Sequence, residues 1–188
     1  MPLTKIQSLG ITDGTIVNAD INASAAIAST KLSGVQGKFE SALLHVRDEK
    51  SDTTAGGTSQ TSYTKRDLNT TLTNEISGAS ISSSVITLPA GTYYILASAP
   101  IYNSNFHRLK LRNTTDSSDT LLGTTEYTDN ANAGFNRSFV FGRFTIASSK
   151  NFELQHKVSS SHSTNGLGVP SSFSETEVYA DCQIWKVA

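Results

Sequence analysis

Cysteine, proline, charge and long apolar runs are all scarce in this chain of 188 residues. The only cysteine is Cys182, so no internal disulfide can form. The fold therefore has to stand on packing, and a reducing compartment of synthesis is the expectation. Four prolines, a charged fraction of 16% and a net charge of −1 do not make the composition of a disordered chain, which needs high net charge or abundant proline. Near-neutrality also provides no field to draw in nucleic acid or an anionic membrane, so neither is an expected partner. The opening stretch MPLTKIQSLGITDG has one lysine and no apolar core of a secretion signal, and the run Ala25–Ala28 is far too short to span a bilayer.

What the chain has instead is hydroxyl. Serine (27) and threonine (23) together make 50 of the 188 residues, alongside 8 Phe, 6 Tyr and 1 Trp that fall in short alternating runs. A helical bundle would be rich in Ala, Glu, Lys and Leu. The expectation is a β-rich, soluble particle of one domain with a short appendage.

The pattern changes near residue 40, which divides the chain into an arm (1–40) and a β domain (41–188). In the arm, Asp13-Gly14 signals a turn, Thr15–Val17 reads as extended, and a short helix is expected from about Ala23 to Ser33, with Asn22 or Ser24 as N-cap and Gly34 as stop. About eleven residues are marginal as an isolated helix. The arm is therefore assigned an anchoring and trimerisation role, with Ile16, Ile21, Ile27 and Leu32 as its candidate contacts.

From Leu43 onward the period is two. LLHVRDEKSD leads into a loop at Gly56-Gly57; DLNTTLTNEI sets Leu68, Thr70, Leu72 and Asn74 on one face; ITLPAGTYYILASAP carries a Pro89-Ala90-Gly91 turn into a β-branched and aromatic strand. HRLKLR sets Leu109 and Leu111 against Arg108, Lys110 and Arg112, and FVFGRFTI, NFELQHKV and EVYADCQIWKV follow. Seven or more such strands with polar turns predict an all-β antiparallel sandwich of jelly-roll type.

The last strand places Val178, Ala180, Cys182 and Ile184 on a core face and Tyr179, Asp181, Gln183, Trp185 and Val187 on the other. Amphipathic aromatics mixed with polar groups compose an interface, the alternative being a covering loop. NFELQHKV similarly lines up Phe152, Leu154, His156 and Val158. The candidate trimer-interface set is Tyr179, Gln183, Trp185, Val187, Phe152, Leu154 and His156, since three-fold closure would bury two such faces.

At these blocks the chain resembles a recurrent module of tailed-bacteriophage virion proteins, tail fibre or particle-surface structural proteins. The likeness runs from Leu43 to Val187 through LLHVRDEKSDTTAGGTS, DLNTTLTNEISGASISS, ITLPAGTYYILASAP, LRNTTDSSDTLLGTTEY, FVFGRFTIASSKNFELQH and EVYADCQIWKV, in that order. More distantly, ITLPAGTYYI and the aromatic last strand are similar to the trimeric jelly roll of the C1q and tumour-necrosis-factor superfamily. DGTIVNADINASAAIASTKL is similar to an element repeated in phage fibres, here present once. The resemblance implies a homotrimer in a virion assembled in a bacterial cytoplasm, with other virion proteins as partners: tail, portal-vertex or major capsid protein. A host-surface glycan is a further candidate partner. A head-fibre or tail-fibre adsorption module is the first reading. A capsid decoration (cement) protein is the second, and a glycan-processing tail enzyme the third.

No catalytic constellation stands out. The G-x-S-x-G elbow, the Walker loop and H-E-x-x-H are all missing, and the histidines at 45, 107, 156 and 162 lack metal-type spacing. Neither a metal nor a cofactor is expected. Asp116, Asp119, Glu126 and Asp129 read as turn residues rather than a carboxylate pair, and Asp129, Asn130 and Asn132 match no calcium loop. Arg108, Lys110 and Arg112 could meet a phosphate-bearing polymer but read first as solubility and edge protection. The candidate host-surface loops are Tyr127–Asn136 and Ser159–Ser174, with Tyr127, Asn130, Asn132, Phe135, His162 and Asn165 as contacts.

Overall fold

The computed structural model describes residues 42–187. The expected extended segment and helix of the arm, with Ile16, Ile21, Ile27 and Leu32, lie outside the described residues. Within them the fold is all-β, an antiparallel jelly roll of two facing sheets. One sheet has five strands in the order β3 (Thr70–Asn74), β1 (Ala42–Lys50), β11 (Glu177–Lys186), β6 (Gly91–Tyr102) and β9 (Phe135–Ile146). The other runs β4 (Ser80–Ser82), β5 (Val85–Leu88), β10 (Lys150–Val158), β7 (Asn105–Asn113) and β8 (Ser118–Thr128), with β2 (Thr64–Lys65) pairing on β10.

Period-two alternation puts Leu44, Val46, Ile95 and Ile184 of the first sheet opposite Ile86, Leu109, Leu111 and Leu154 of the second, all fully buried. Phe144 ties the layers together: its ring centroid lies 5.6 Å from that of Tyr93 on its own sheet and 5.4 Å from that of Phe152 on the other. Full burial of side chains of this size contributes about 1.5–3 kcal/mol each. The corner between β8 and β9 is closed by backbone approach at Gly123, where a Cβ would stand 2.6 Å from the Phe139 carbonyl oxygen. Only glycine fits there.

Two bulges change the faces expected from strict alternation. Register between β1 and β3 shifts between His45 and Val46; Leu72 is exposed, and the apolar anchors are Leu68 and Ile76, buried on either side of the strand. Between β1 and β11 the pairing jumps from Arg47↔Asp181 to Glu49↔Val178, so Tyr179 and Ala180 both stand against Asp48. Beyond this extra residue the alternation of β11 inverts. Val178 becomes exposed and Tyr179 is buried, the reverse of the expected assignment.

Candidate functional site

The expected trimer-interface set divides in two. Phe152, Leu154 and His156 lie inside the sandwich, because the apolar face of β10 is its core face and the opposite face carries Glu153, Gln155 and Lys157. Tyr179 is inside as well, at 4% exposure. Its hydroxyl donates to the Thr54 carbonyl at 2.7 Å, and its ring lies so close to Gly168 that a Cβ there would come within 2.0 Å. These four side chains are therefore removed from the candidate surface, and for Tyr179 it is the covering loop that accounts for its aromatic ring. Gln183, Trp185 and Val187 remain half-buried at the outer side of the five-stranded sheet.

That outer face holds apolar groups that sequence reading missed. Trp185 pairs with Tyr94, and their centroids are 6.1 Å apart. Gln183 pairs with Leu96, Leu96 with Phe141, and Ser98 with Phe139. Leu96 is 42% and Phe141 56% exposed, and Tyr94 and Phe139 are similarly open. The readable signal was YYILASAP, apolar at both parities, which is how a strand covered on both sides is written. One end of this face is polar: Asp181 accepts from Arg47 Nε at 2.6 Å and pairs with His45 Nε2 at 3.1 Å. Burial alone would raise the Asp181 carboxyl, but these two partners outweigh it and hold it below its ordinary value.

The fold of these sheets can be compared with solved structures. No model of a known protein family matches the chain, and no curated protein does. Among solved structures, the globular domain of zebrafish complement 1qA superposes with a TM-score of 0.51 at 15% identity, covering 79% of this chain and 98% of that one. Murine APRIL at pH 5.0 gives 0.49 at 7% identity, covering 77% and 98%. The chain has a C1q-like fold. At such identity the likeness is one of architecture.

In this C1q-like sandwich the two candidate host-surface loops meet at one end. Asn130 Nδ2 donates to Ser160 Oγ at 3.4 Å, Asn103 N–H to the Gly134 carbonyl at 2.8 Å, and Tyr102 N–H to the Gly166 carbonyl at 3.0 Å. Tyr127 and Phe135 stand on the strands flanking the first loop, in β8 and at the start of β9. His162 packs edge-on against Tyr102 at 5.1 Å, and Asn165 N–H bonds the Ser163 carbonyl. Asn132 is used locally, donating to Asp129. The Ala131 N–H and Asn132 hold the Asp129 carboxyl below its usual range.

At the opposite end of β7 and β8, two of the carboxylates singled out in the sequence are held by cations. Asp116 takes Lys150 Nζ at 2.6 Å; Asp119 takes both Lys110 Nζ and Arg112 Nη1 at 2.8 Å. These partners depress both carboxyls. A general acid in glycan cleavage needs the opposite shift. Among the described residues no three His, Cys, Asp or Glu side chains gather as a metal site. Cys182 is fully buried, which pushes its thiol up to about 12.

A polar chain inside the sandwich was not foreseen. Arg66, fully buried, donates to the Leu167 carbonyl at 3.0 Å and to the Pro100 carbonyl at 3.4 Å, with Asp48 Oδ2 at 3.9 Å. Burial pushes its guanidinium down to about 10, which leaves it charged at neutral pH. On the other side, His107 bridges His156 and Asn136. A lone arginine in TKRDL gives no sign that its side chain turns inward.

Proposed function

We propose that this chain is a non-enzymatic structural module of a tailed-bacteriophage particle. It assembles as a trimer through the five-stranded sheet, is held to the particle by residues 1–40, and offers the loop end for host adsorption. The observation that carries the self-association is the open apolar face of Tyr94, Leu96, Phe139 and Phe141 beside Trp185. A monomer would leave this patch in water, and a rotation of order three closes such faces without leaving one over. The C1q-like architecture supports that closure, and the ion-paired state of Asp116 and Asp119 supports a role without catalysis. The assignment to a virion rests on the ordered resemblance from Leu43 to Val187.

Native mass measurement of the full chain tests the assembly. The expected mass is three times 20.1 kDa, and a 20.1 kDa species at micromolar concentration removes the reading. Imaging whole particles tests the placement: a few trimers at the tail or a vertex support adsorption. Hundreds of copies across the shell support the decoration reading instead, which the single copy of the N-terminal element favours.

A further inference from the structure

The outer face of the six-stranded sheet carries an unbalanced pair of cations. Arg108 of β7 lies directly opposite Lys157 of β10. Like charges in such cross-strand positions repel. Further along β7, the same face solves this problem with a carboxylate: Lys110 and Arg112 share Asp119. Among the described residues no carboxylate lies within ion-pair distance of Arg108 or Lys157. Arg108 is nevertheless held in place, because Nε and Nη2 both donate to Thr125 Oγ1, the former at 2.9 Å. A guanidinium held in this way, with no acidic partner among the described residues, is preorganised to take an anion.

Beside this pair stands an aromatic wall. Phe106 and Tyr127 pack with centroids 5.0 Å apart, and both are open to solvent, at 60% and 52% exposure. On the far side stands Tyr63, whose ring takes Lys110 Nζ at 3.9 Å and has Lys157 Nζ at 5.9 Å. Between them runs an open groove of about 220 Å³, lined by Tyr63, Phe106, Arg108, Thr125, Lys157 and Ser159. Its volume is below the roughly 300–1,000 Å³ of pockets that enclose drug-sized ligands. It suits one ring laid along a wall.

We propose that this groove binds an acidic saccharide, with the C–H face of a sugar ring on Phe106, which Tyr127 backs, and its carboxylate or phosphate between Arg108 and Lys157. An inorganic anion would leave the aromatic wall unused, and a neutral sugar would leave the two cations unpaired. This assignment deepens the adsorption reading and rests on it for its biological setting, but not for its chemistry.

The test uses the full chain and four probes: oligogalacturonate for a carboxylate, phosphomannan for a phosphate ester, dextran as a neutral polymer and inorganic phosphate alone. The expected result is binding of at least one acidic saccharide, weakening as salt rises, with dextran silent. The double variant R108Q/K157Q and the single variant F106A should each weaken it by tenfold or more while melting as the parent does; R112Q, already paired with Asp119, should leave it unchanged. Absence of binding to both acidic saccharides overturns the proposal. So does inorganic phosphate competing as well as phosphomannan, or a change in assembly mass in the F106A variant, which would make a second copy the occupant. Saccharide binding that persists in a protein absent from virions would remove the adsorption reading and keep this one. Particles that adsorb while the purified chain binds neither acidic saccharide would remove this one alone.

Discussion

His107 Nδ1 lies 3.0 Å from His156 Nε2 inside the sandwich, and the ring nitrogens are ordered by what lies beyond them. His107 Nε2 faces the Asn136 side-chain oxygen and must carry a proton. A neutral His107 then accepts at Nδ1, and His156 Nε2–H is the donor. That leaves His156 Nδ1 as a bare acceptor in the interior, with the Arg66 guanidinium acting on it, and Arg66 Nε also lacks a partner among the described residues.

This order makes the domain acid-sensitive. Burial lowers both histidines, aided at His156 by the charges of Arg66 and His107; at His107 it is opposed by the Asn136 bond and by Glu126. Because the folded values lie below the unfolded one, unfolded chains take up protons first. Stability is full above about pH 6.5 and falls as the pH drops below it, by up to about 1.4 kcal/mol per histidine and pH unit. Melting temperatures at about pH 7.5 and about pH 5 should show the decline, and His156→Gln should flatten it. A melting temperature level across that range would sink the argument.

Arg66 and Asp48 are expected to behave as a buried pair. Arg66→Met leaves the Asp48 carboxylate, which burial already raises, with Lys50 Nζ at 3.1 Å as its remaining cation, and strips the donors from the Leu167 and Pro100 carbonyls; it should cost roughly 1–3 kcal/mol in urea unfolding. Adding Asp48→Leu should recover part of that loss. Strictly additive costs would mean that the two side chains do not communicate.

The Tyr179 cover can be opened in two ways. Tyr179→Phe removes the bond to the Thr54 carbonyl and should cost about 1 kcal/mol. Gly168→Ala drives a methyl into the Tyr179 ring at a φ of 147° and should cost at least about 2 kcal/mol. A silent Gly168→Ala in denaturant titration would place that ring elsewhere.

The outer face of the five-stranded sheet should control assembly and not folding. Leu96→Arg or Phe141→Asp is expected to yield 20.1 kDa monomers that keep a β-type circular dichroism spectrum. Loss of the spectrum together with the mass change would make these residues part of the fold itself.

The strands were legible because alternation was clean where one face is buried: Leu109 and Leu111 against Arg108 and Arg112, or Cys182 and Ile184 against Gln183 and Trp185. It misled where a bulge adds a residue, as before Asp181, because a sequence carries no mark of the partner strand's count. On β10 the apolar row was read correctly as a face but assigned to a subunit contact, whereas the polar row Glu153, Gln155 and Lys157 opposite it leaves Phe152, Leu154 and His156 as the interior. The candidate site was less legible still. Arg108 and Lys110 look alike in HRLKLR, and only the placement of Asp119 separates the neutralised cation from the unpaired one.

The pairing of Ala42 with Lys186 carries a last consequence. Partners in an antiparallel ladder stand about 4.5–5.5 Å apart, so the sandwich is entered and left through a single doorway. A domain wired in this way is portable. It can be spliced behind different leaders, or inserted into a surface turn of an unrelated host protein, while parting that host's backbone by little more than one residue step. Evolution and engineering can both move such a cassette without redesigning its interior.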